Sequence, residues 1–225
     1  MQETNFSRVT VVHFVGIGGI GMSAIARAFL GDGKKVSGSD RGASEITDEL
    51  LKLGAQIVIG EQSVSEIPED AELVIYSAAI EVVEPEFLVG IKELKIPSLS
   101  YSEALGEISR DKYTIAISGT HGKTTTTAMV ATVLIDAGLE PTVVVGSVLN
   151  RERSNFVAGK AGFGAAGGRA ETPDYFVVEA DEYRRSFLSL SPKILVLNNL
   201  DLDHLDYFKD LSDIQFAYTE LAKNV

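Results

Sequence analysis

The residues best suited to chemistry lie in the run Ser118–Thr127, which reads S-G-T-H-G-K-T-T-T-T. The run follows an apolar segment and precedes a helical one. This is typical of a phosphate-binding loop, although Ile117 replaces the first glycine of G-x-x-x-x-G-K-[ST]. In such a loop backbone N–H groups hold phosphates, Lys123 neutralises the β and γ oxygens, and the Thr124 hydroxyl binds Mg²⁺. ATP and Mg²⁺ are therefore the predicted cofactors. The predicted ATP-binding residues are Gly119, Thr120, His121, Gly122, Lys123, Thr124 and Thr125. His121 is also compatible with a solvated loop position that has no role.

Acidic residues and a histidine follow two later apolar runs. Glu179–Glu182 comes directly after Tyr175–Val178, and His204, preceded by Asp203, follows Ile194–Leu197. The carboxyl ends of neighbouring parallel strands lie at one edge of a sheet, where open α/β sheets bind ligands. Glu179 is therefore a candidate Mg²⁺ ligand. An Asp-His pair in a loop is often only a solvated turn, but three strand ends that face one pocket favour a functional role.

A second glycine-rich turn lies near the start of the chain. Gly16, Gly18 and Gly21 satisfy G-x-G-x-x-G between a predicted strand and a predicted helix, and Asp40 ends the next strand, where a ribose-binding acid belongs. The helix N-terminus offers N–H groups and a partial positive charge, so the context favours a diphosphate site. The pattern does not name the nucleotide, and NAD remains an alternative. The glycines are also compatible with a tight turn that binds nothing.

Alternating apolar runs and helical patterns predict two successive α/β units with parallel sheets. The predicted strands are Val9–Val15, Lys35–Ser39, Ile57–Ile59, Leu73–Tyr76, Tyr113–Ile117, Val143–Val145, Tyr175–Val178 and Ile194–Leu197. The predicted helices are Ile20–Leu30, Glu45–Leu53, Ser102–Ser109, a helix that ends near Gly138, and one from about Asp210 to Ala222. We expect a domain boundary near residue 110. The glycine- and alanine-rich segment Gly159–Ala170 is predicted to be a mobile loop or insertion.

Composition limits the classes of partner. The formal net charge of −12 over 225 residues argues against broad nucleic-acid binding, which needs a basic surface. The chain has no cysteine and only three histidines, so a metal would be held mainly by oxygen atoms, which favours Mg²⁺ over Zn²⁺. No run approaches the roughly 20 apolar residues of a membrane span. We therefore predict a soluble cytoplasmic protein without membrane insertion, and the oligomeric state is left open.

With these residues assembled, the chain resembles the Mur ligase family over essentially its whole length. The motifs occur in the family's order: H-F-V-G-I-G-G-I-G-M-S (His13–Ser23), S-G-S-D (Ser37–Asp40), G-T-H-G-K-T-T-T (Gly119–Thr126), E-A-D-E (Glu179–Glu182), S-F-L (Ser186–Leu188) and N-L-D-L-D-H (Asn199–His204). The resemblance implies a Rossmann-like parallel-sheet domain over residues 1–110 and part of a P-loop ATPase α/β domain over residues 111–225. Whole members have a third domain, so we expect the 225-residue chain to bind without turnover.

The resemblance also implies substrates and roles. Its closest branch joins L-alanine to UDP-N-acetylmuramate with ATP, through an acyl phosphate. The first domain is then expected to hold the UDP part, and the implied contacts are Gly16, Gly18, Gly19, Gly21, Met22, Ser23, Asp40, Ser77, Ala78 and Ala79. The implied catalytic residues are Lys123, Glu179 and His204. Thr124 and Glu179 are expected to hold one Mg²⁺, and His204 is expected to help hold a second. Asn199 is expected to support this side of the ATP site.

Three departures and several alternatives accompany this interpretation. Glu61 stands where the family usually has histidine, Glu84 where it usually has asparagine, and Arg184 where an acid is common. The nearest rival is the sister branch that attaches a recycled tripeptide to UDP-N-acetylmuramate, because it shares both glycine turns. A nicotinamide oxidoreductase would explain the first turn but not the second. A noncatalytic ATP-binding module is the remaining alternative.

Overall fold

The structure is a computed structural model that describes residues 5–149, 154–160 and 173–225. The described residues form two compact units, which meet in sequence between Ala104 and Leu105. The domain boundary near residue 110 stays a prediction. The predicted glycine-rich loop lies, from residue 161 onward, outside the described residues.

The first unit is a fully parallel five-stranded sheet with helices between its strands. Its strands are β1 (Val11–Val15), β2 (Lys35–Asp40), β3 (Gln56–Ile59), β4 (Leu73–Tyr76) and β5 (Ser98–Ser100). Its helices are α1 (Ile20–Gly31), α2 (Glu45–Lys52), α3 (Ala78–Val83) and α4 (Pro85–Glu93), and α5 (Tyr101–Arg110) contains the boundary between the units. The strand order is β3-β2-β1-β4-β5. The order reverses between β1 and β4, and open parallel sheets bind ligands outside the carboxyl ends of strands at such a reversal.

Burial explains why β1 lies at the centre of this sheet. Four of its five residues are buried, as expected for a strand that helices cover on both faces. One of the four is His13, whose Nδ1 atom lies 3.0 Å from the Ser37 hydroxyl. Burial disfavours the charged imidazolium and lowers the pKa of His13 to about 4. His13 is therefore a neutral core residue at physiological pH.

The second unit contains a mixed five-stranded sheet. Its strands are β6 (Tyr113–Ser118), β7 (Thr142–Leu149), β8 (Ser154–Val157), β9 (Tyr175–Glu179) and β10 (Ile194–Leu197), in the order β10-β6-β9-β7-β8. All pairs are parallel except β7 with β8. Its helices are α6 (Lys123–Asp136) and α7 (Leu211–Ala222), and a 3-10 segment spans Tyr183–Ser189. The parallel arrangement of β6, β9 and β10 brings the ends of these three strands to one edge of the sheet.

The predicted fold class is confirmed, since a parallel α/β unit is followed by a second α/β unit. The sequence patterns did not predict α3, α4, β5 or β8. The helix predicted from about Asp210 is α7, and Asp210 is its N-cap, because its carboxylate accepts the N–H of Asp213 at 2.9 Å. Among the described residues, no helix is long and apolar enough to cross a membrane.

Candidate functional site

The loop between β6 and α6 has the geometry of an anion-binding turn. Gly119 has a φ of 131°, and a Cβ atom there would lie 3.0 Å from the backbone oxygen of Asn199, so a side chain would be strained and crowded. α6 starts at Lys123, and Thr126 donates its N–H to the Gly122 carbonyl at 3.0 Å. The first N–H groups of a helix have no acceptor within that helix. These free donors are the usual reason why phosphates bind at a helix N-terminus.

Lys123 lies beside a buried acid. Its Nζ donates to both carboxylate oxygens of Glu182, at 3.0 and 2.8 Å, and to the Gly119 carbonyl at 2.8 Å. The side chains of Lys123 and Glu182 are 14% and 3% exposed. Because few water molecules reach this pair, the attraction between the ammonium and the carboxylate is stronger than it would be in water. An incoming phosphate must therefore compete with Glu182 for the lysine.

Thr124 and Glu179 are brought together as the sequence predicted. The Thr124 hydroxyl donates to Glu179 Oε1 at 2.9 Å, and Glu179 Oε2 accepts the N–H of Gly146 at 2.7 Å. These contacts fix the carboxylate at the end of β9 beside the start of α6. A hydroxyl and a carboxylate oxygen are hard donors of the kind that Mg²⁺ binds, so this pair fits that ion.

Two asparagines after β10 hold the phosphate loop from the side. Asn199 Oδ1 accepts the N–H of His121 at 2.9 Å, and Asn199 Nδ2 donates to the His121 carbonyl at 3.0 Å. Asn198 Nδ2 donates to the Thr126 hydroxyl at 3.1 Å. The Thr120 hydroxyl accepts the N–H of Asp201 at 2.8 Å. His121 is thus held through its backbone, while its side chain is exposed.

His204 completes the edge of this site. Its Nε2 lies 3.7 Å from Glu182 Oε1, and its ring centroid lies 4.8 Å from that of Tyr183. Asp181, Glu182 and His204 offer ligand atoms within 4.8 Å of one another. The backbone of His204 has a φ of 51°, which is uncommon outside glycine and costs conformational energy. Tyr183 in turn donates to Asp206 at 2.9 Å, and this hydrogen bond raises the pKa of Tyr183.

The first unit has its own candidate site. A cavity of about 450 Å³ lies at the reversal of strand order, at the ends of β1, β2 and β4. Its lining residues are Gly16, Gly18, Gly19, Asp40, Arg41, Gly42, Ser44, Gln62, Ser77, Ala79, Ile80 and Val83. Small-molecule sites span roughly 300–1,000 Å³, so the cavity is large enough for part of a nucleotide sugar.

Close packing explains the first glycine of this turn. Gly16 has a φ of 80°, and a Cβ atom there would lie 2.8 Å from the Ser77 hydroxyl. Asp40 Oδ2 accepts the N–H of Gly18 at 2.7 Å, which ties the end of β2 to the turn. The structure therefore gathers these predicted residues around one cavity.

Four of the predicted contacts do not line the cavity: Gly21, Met22, Ser23 and Ala78. Gly21 packs against Tyr101, whose ring carbon would lie 2.4 Å from an added Cβ atom. Met22 and Ser23 are buried, and the Ser23 hydroxyl donates to the Ile20 carbonyl at 2.8 Å. Their assignment to a ligand stays a prediction, as do the other predicted ligand contacts.

Sequence reasoning missed several residues that the geometry places in the sites. Glu182 was noted within E-A-D-E, but its contact with Lys123 was not expected. Asn198 carries only the signal of standing beside Asn199 at the end of an apolar run. Arg41 and Gln62 line the cavity, although neither belongs to the glycine motif. Proximity to the end of a predicted strand is the signal that could have found them.

Comparison with known sequence families decides the family. The profile described as Mur ligase family, catalytic domain, matches residues 11–113, and that of the Mur ligase middle domain matches residues 117–225. This chain belongs to the Mur ligase family. The family resemblance drawn from the sequence motifs is thereby confirmed.

Curated Mur ligases give the same result. The UDP-N-acetylmuramate–L-alanine ligase of Clostridium kluyveri is 44% identical over 220 residues, which cover 97% of this chain and 45% of that protein. The ligase of the same name from Geotalea uraniireducens is 43% identical over 220 residues, covering 98% of this chain and 45% of that protein. The chain thus spans less than half the length of these relatives.

Solved structures of Mur ligases have the same fold. A UDP-N-acetylmuramate:L-alanyl-γ-D-glutamyl-meso-diaminopimelate ligase from Neisseria meningitides superposes with a TM-score of 0.81 at 28% identity, covering 96% of this chain and 68% of that one. The UDP-N-acetylmuramate-alanine ligase of Thermotoga maritima gives a TM-score of 0.77 at 34% identity, covering 95% of this chain and 47% of that one.

Proposed function

We propose that this chain is the nucleotide-binding part of an ATP-dependent ligase that joins L-alanine to the muramoyl carboxylate of UDP-N-acetylmuramate. The observation that carries the proposal is the Lys123–Glu182 and Thr124–Glu179 arrangement at a phosphate loop, in a chain whose other unit has a separate glycine-lined cavity. Two nucleotide sites suit a reaction between a nucleotide sugar and ATP. The names and identities of the curated relatives support the choice of substrates.

The first unit is proposed to hold the UDP part of the sugar nucleotide. The turn at Gly16 and Gly18 lets the backbone approach a diphosphate, and α1 directs its N-terminus toward the same cavity. Asp40 is already bonded to the N–H of Gly18, so its role includes holding the turn in shape. A nicotinamide dinucleotide is disfavoured, because an oxidoreductase has no use for the phosphate loop of the second unit.

The second unit is proposed to hold ATP and Mg²⁺. Thr124 and Glu179 would hold one ion, and when bound there it would offset the negative charge of the β and γ oxygens. Lys123 would exchange Glu182 for a phosphate oxygen. His204 and Asp181 lie close enough to Glu182 to take part in a second cation site once the lysine has moved.

In the proposed reaction a muramoyl carboxylate oxygen bonds to the γ-phosphorus while the bond to the β-γ bridging oxygen breaks, which releases ADP. The amine of L-alanine then attacks the acyl carbon, phosphate leaves, and the amine loses a proton. Neither step needs a covalent protein nucleophile, so this chain has to contribute positioning and charge stabilisation. The use of ATP as a substrate supports the predicted cytoplasmic location.

A tripeptide-adding ligase is the second candidate, because the N. meningitides structure of that name superposes well on this chain. The two candidates differ in the amine they accept. In a full-length ligase that carries this chain, phosphate release with ATP and UDP-N-acetylmuramate is expected to need L-alanine. Release with the tripeptide but not with L-alanine would select the second candidate.

Binding to the chain itself gives the direct test. Calorimetry is expected to show binding of UDP-N-acetylmuramate to the 225-residue chain and much weaker binding of NADH, while ATP-dependent phosphate release stays at background. NADH binding as tight as that of the UDP-sugar would reject the proposal. Robust turnover by the chain alone would reject our expectation that further domains are required.

A further inference from the structure

Arg41 gives the cavity of the first unit a cationic side chain. It follows Asp40 at the end of β2 and lines the cavity together with the glycine turn. Its guanidinium pairs with the carboxylate of Glu84, the residue between α3 and α4. Among the described residues that line the cavity, Arg41 is the only one with a cationic side chain and Asp40 the only one with an acidic side chain.

The electrostatics of the cavity make this arginine significant. The carboxylate of Asp40 repels an anion, and it also occupies the N–H of Gly18, one of the donors that the turn could offer. The net charge of −12 adds a repulsive background for an anionic ligand. Partial charges at the start of α1 oppose that repulsion only in part. A full positive charge nearby would therefore strengthen the binding of a diphosphate in this cavity.

The ion pair with Glu84 is of a kind that exchanges readily. The Arg41 side chain is 58% exposed and that of Glu84 is 23% exposed. Exposed ion pairs add little to stability, because water screens them and the side chains lose freedom. A guanidinium can instead form two parallel hydrogen bonds to phosphate oxygens. Little stability is therefore lost when Arg41 leaves Glu84 for a diphosphate.

We propose that Arg41 is a specificity-determining residue that leaves Glu84 to bind the diphosphate of the nucleotide sugar. This inference rests on the proposed function. It adds to the diphosphate site a side chain that lies outside the G-x-G-x-x-G motif. The structure shows the guanidinium paired with Glu84. Ligands without a diphosphate leave that pair intact and gain nothing from Arg41.

The test compares UDP-N-acetylmuramate, UDP and uridine on variants of the 225-residue chain, with calorimetry for the nucleotides and ligand-observed NMR for uridine. Arg41→Ala is expected to weaken binding of both diphosphates about 10- to 100-fold, the usual loss for a hydrogen bond to a charged group. Uridine binding is expected to stay within twofold of the wild-type value. Arg41→Lys is expected to recover part of the loss.

Two control variants separate ligand contact from structural support. Glu84→Gln breaks the same ion pair but keeps the arginine, so binding of UDP is expected to be unchanged or up to about fivefold tighter. Arg110→Ala removes the same charge and an ion pair of similar exposure, with Glu107, away from the cavity lining, and is expected to leave binding unchanged. Melting curves establish that each variant is folded.

Each outcome is decisive. Unchanged UDP binding by Arg41→Ala, or an equal loss for uridine, overturns the assignment of Arg41. Equal weakening by Glu84→Gln and Arg41→Ala also overturns it, because the ion pair would then support the fold of the cavity. A wild-type chain that binds no UDP-N-acetylmuramate rejects the proposed function itself, and is distinguishable from these results.

Discussion

Replacing Lys123 with methionine is expected to destabilise the second unit. The change leaves the carboxylate of Glu182, which is 3% exposed, without the ammonium that now bonds to both of its oxygens. Removing one partner of a buried pair typically costs about 3–5 kcal/mol of the free energy of unfolding. Lys123 is itself 14% exposed, and the Nε2 atom of His204 lies 3.7 Å from Glu182. We therefore expect a somewhat smaller loss of about 2–4 kcal/mol.

A double-mutant cycle tests whether this loss comes from the pair. Glu182→Gln is expected to cost about 1–2 kcal/mol, because Lys123 keeps its bond to the Gly119 carbonyl. The double variant removes both charges, so its loss should be smaller than the sum of the single losses by about 2 kcal/mol. Urea unfolding, followed by circular dichroism at pH 7.5, measures each value.

Lys160→Met is the matched control for this cycle. Its pair with Glu140 is exposed, with side chains 56% and 53% accessible, so the expected loss is below about 0.5 kcal/mol. Strict additivity of Lys123→Met and Glu182→Gln would refute the reasoning, and so would a Lys123→Met loss no larger than that of Lys160→Met. Either result would mean that the buried carboxylate does not depend on the lysine.

Three further predictions concern other residues. Gly16→Ala should lower the free energy of unfolding, measured in urea, by about 2–4 kcal/mol, because it adds a clash to an unfavourable φ. Gly33→Ala, with a φ of 75° and open space around it, should cost only about 1 kcal/mol. Equal losses for the two variants would contradict this reasoning. The pKa of His13 is lowered from 6.5 to about 4, so stability should fall by about 1.4 kcal/mol per pH unit as pH drops through that interval. His13→Asn should flatten this dependence in melting curves, while the exposed-site variant His121→Asn should not. In a full-length ligase that carries this chain, Glu179→Gln should raise the Mg²⁺ concentration for half-maximal phosphate release, and an unchanged metal dependence would remove this carboxylate from the ATP site.

Local sequence signals predicted the parts of the fold whose backbone has few alternatives. The glycine turn at Gly16 and the loop at Gly119 each lie between an apolar strand and a helix, and both were located correctly. The paired helices α3 and α4 were missed because Pro85 suggests a break, whereas it occupies the first turn of α4. Strand β8 was missed because its antiparallel pairing with β7 depends on a tertiary partner.

The sequence predicted which segments reach the candidate sites, but not which side chains contact each other there. The E-A-D-E motif places two glutamates at the end of β9 but does not say which one reaches Lys123. Arg184 and Arg185, with φ values of 53° and 58°, turn the chain shortly after Glu182. Neither arginine belongs to a residue type that favours such a conformation, so the sequence carries no signal for the turn. The Arg41–Glu84 contact likewise joins residues 43 positions apart in sequence.

If the second unit binds ATP as proposed, the pairing of Lys123 with Glu182 would also affect which anions can occupy the phosphate loop. An empty loop with an unpaired lysine would attract any anion, including the free phosphate that is abundant in cells. Here the positive charge is already neutralised by a buried carboxylate that contacts the ammonium through both oxygens. A single phosphate group would offer the lysine little beyond what Glu182 already provides, whereas a nucleotide could add contacts through its other groups. If the loop binds ATP as proposed, the pairing would therefore favour a nucleotide over smaller anions such as free phosphate.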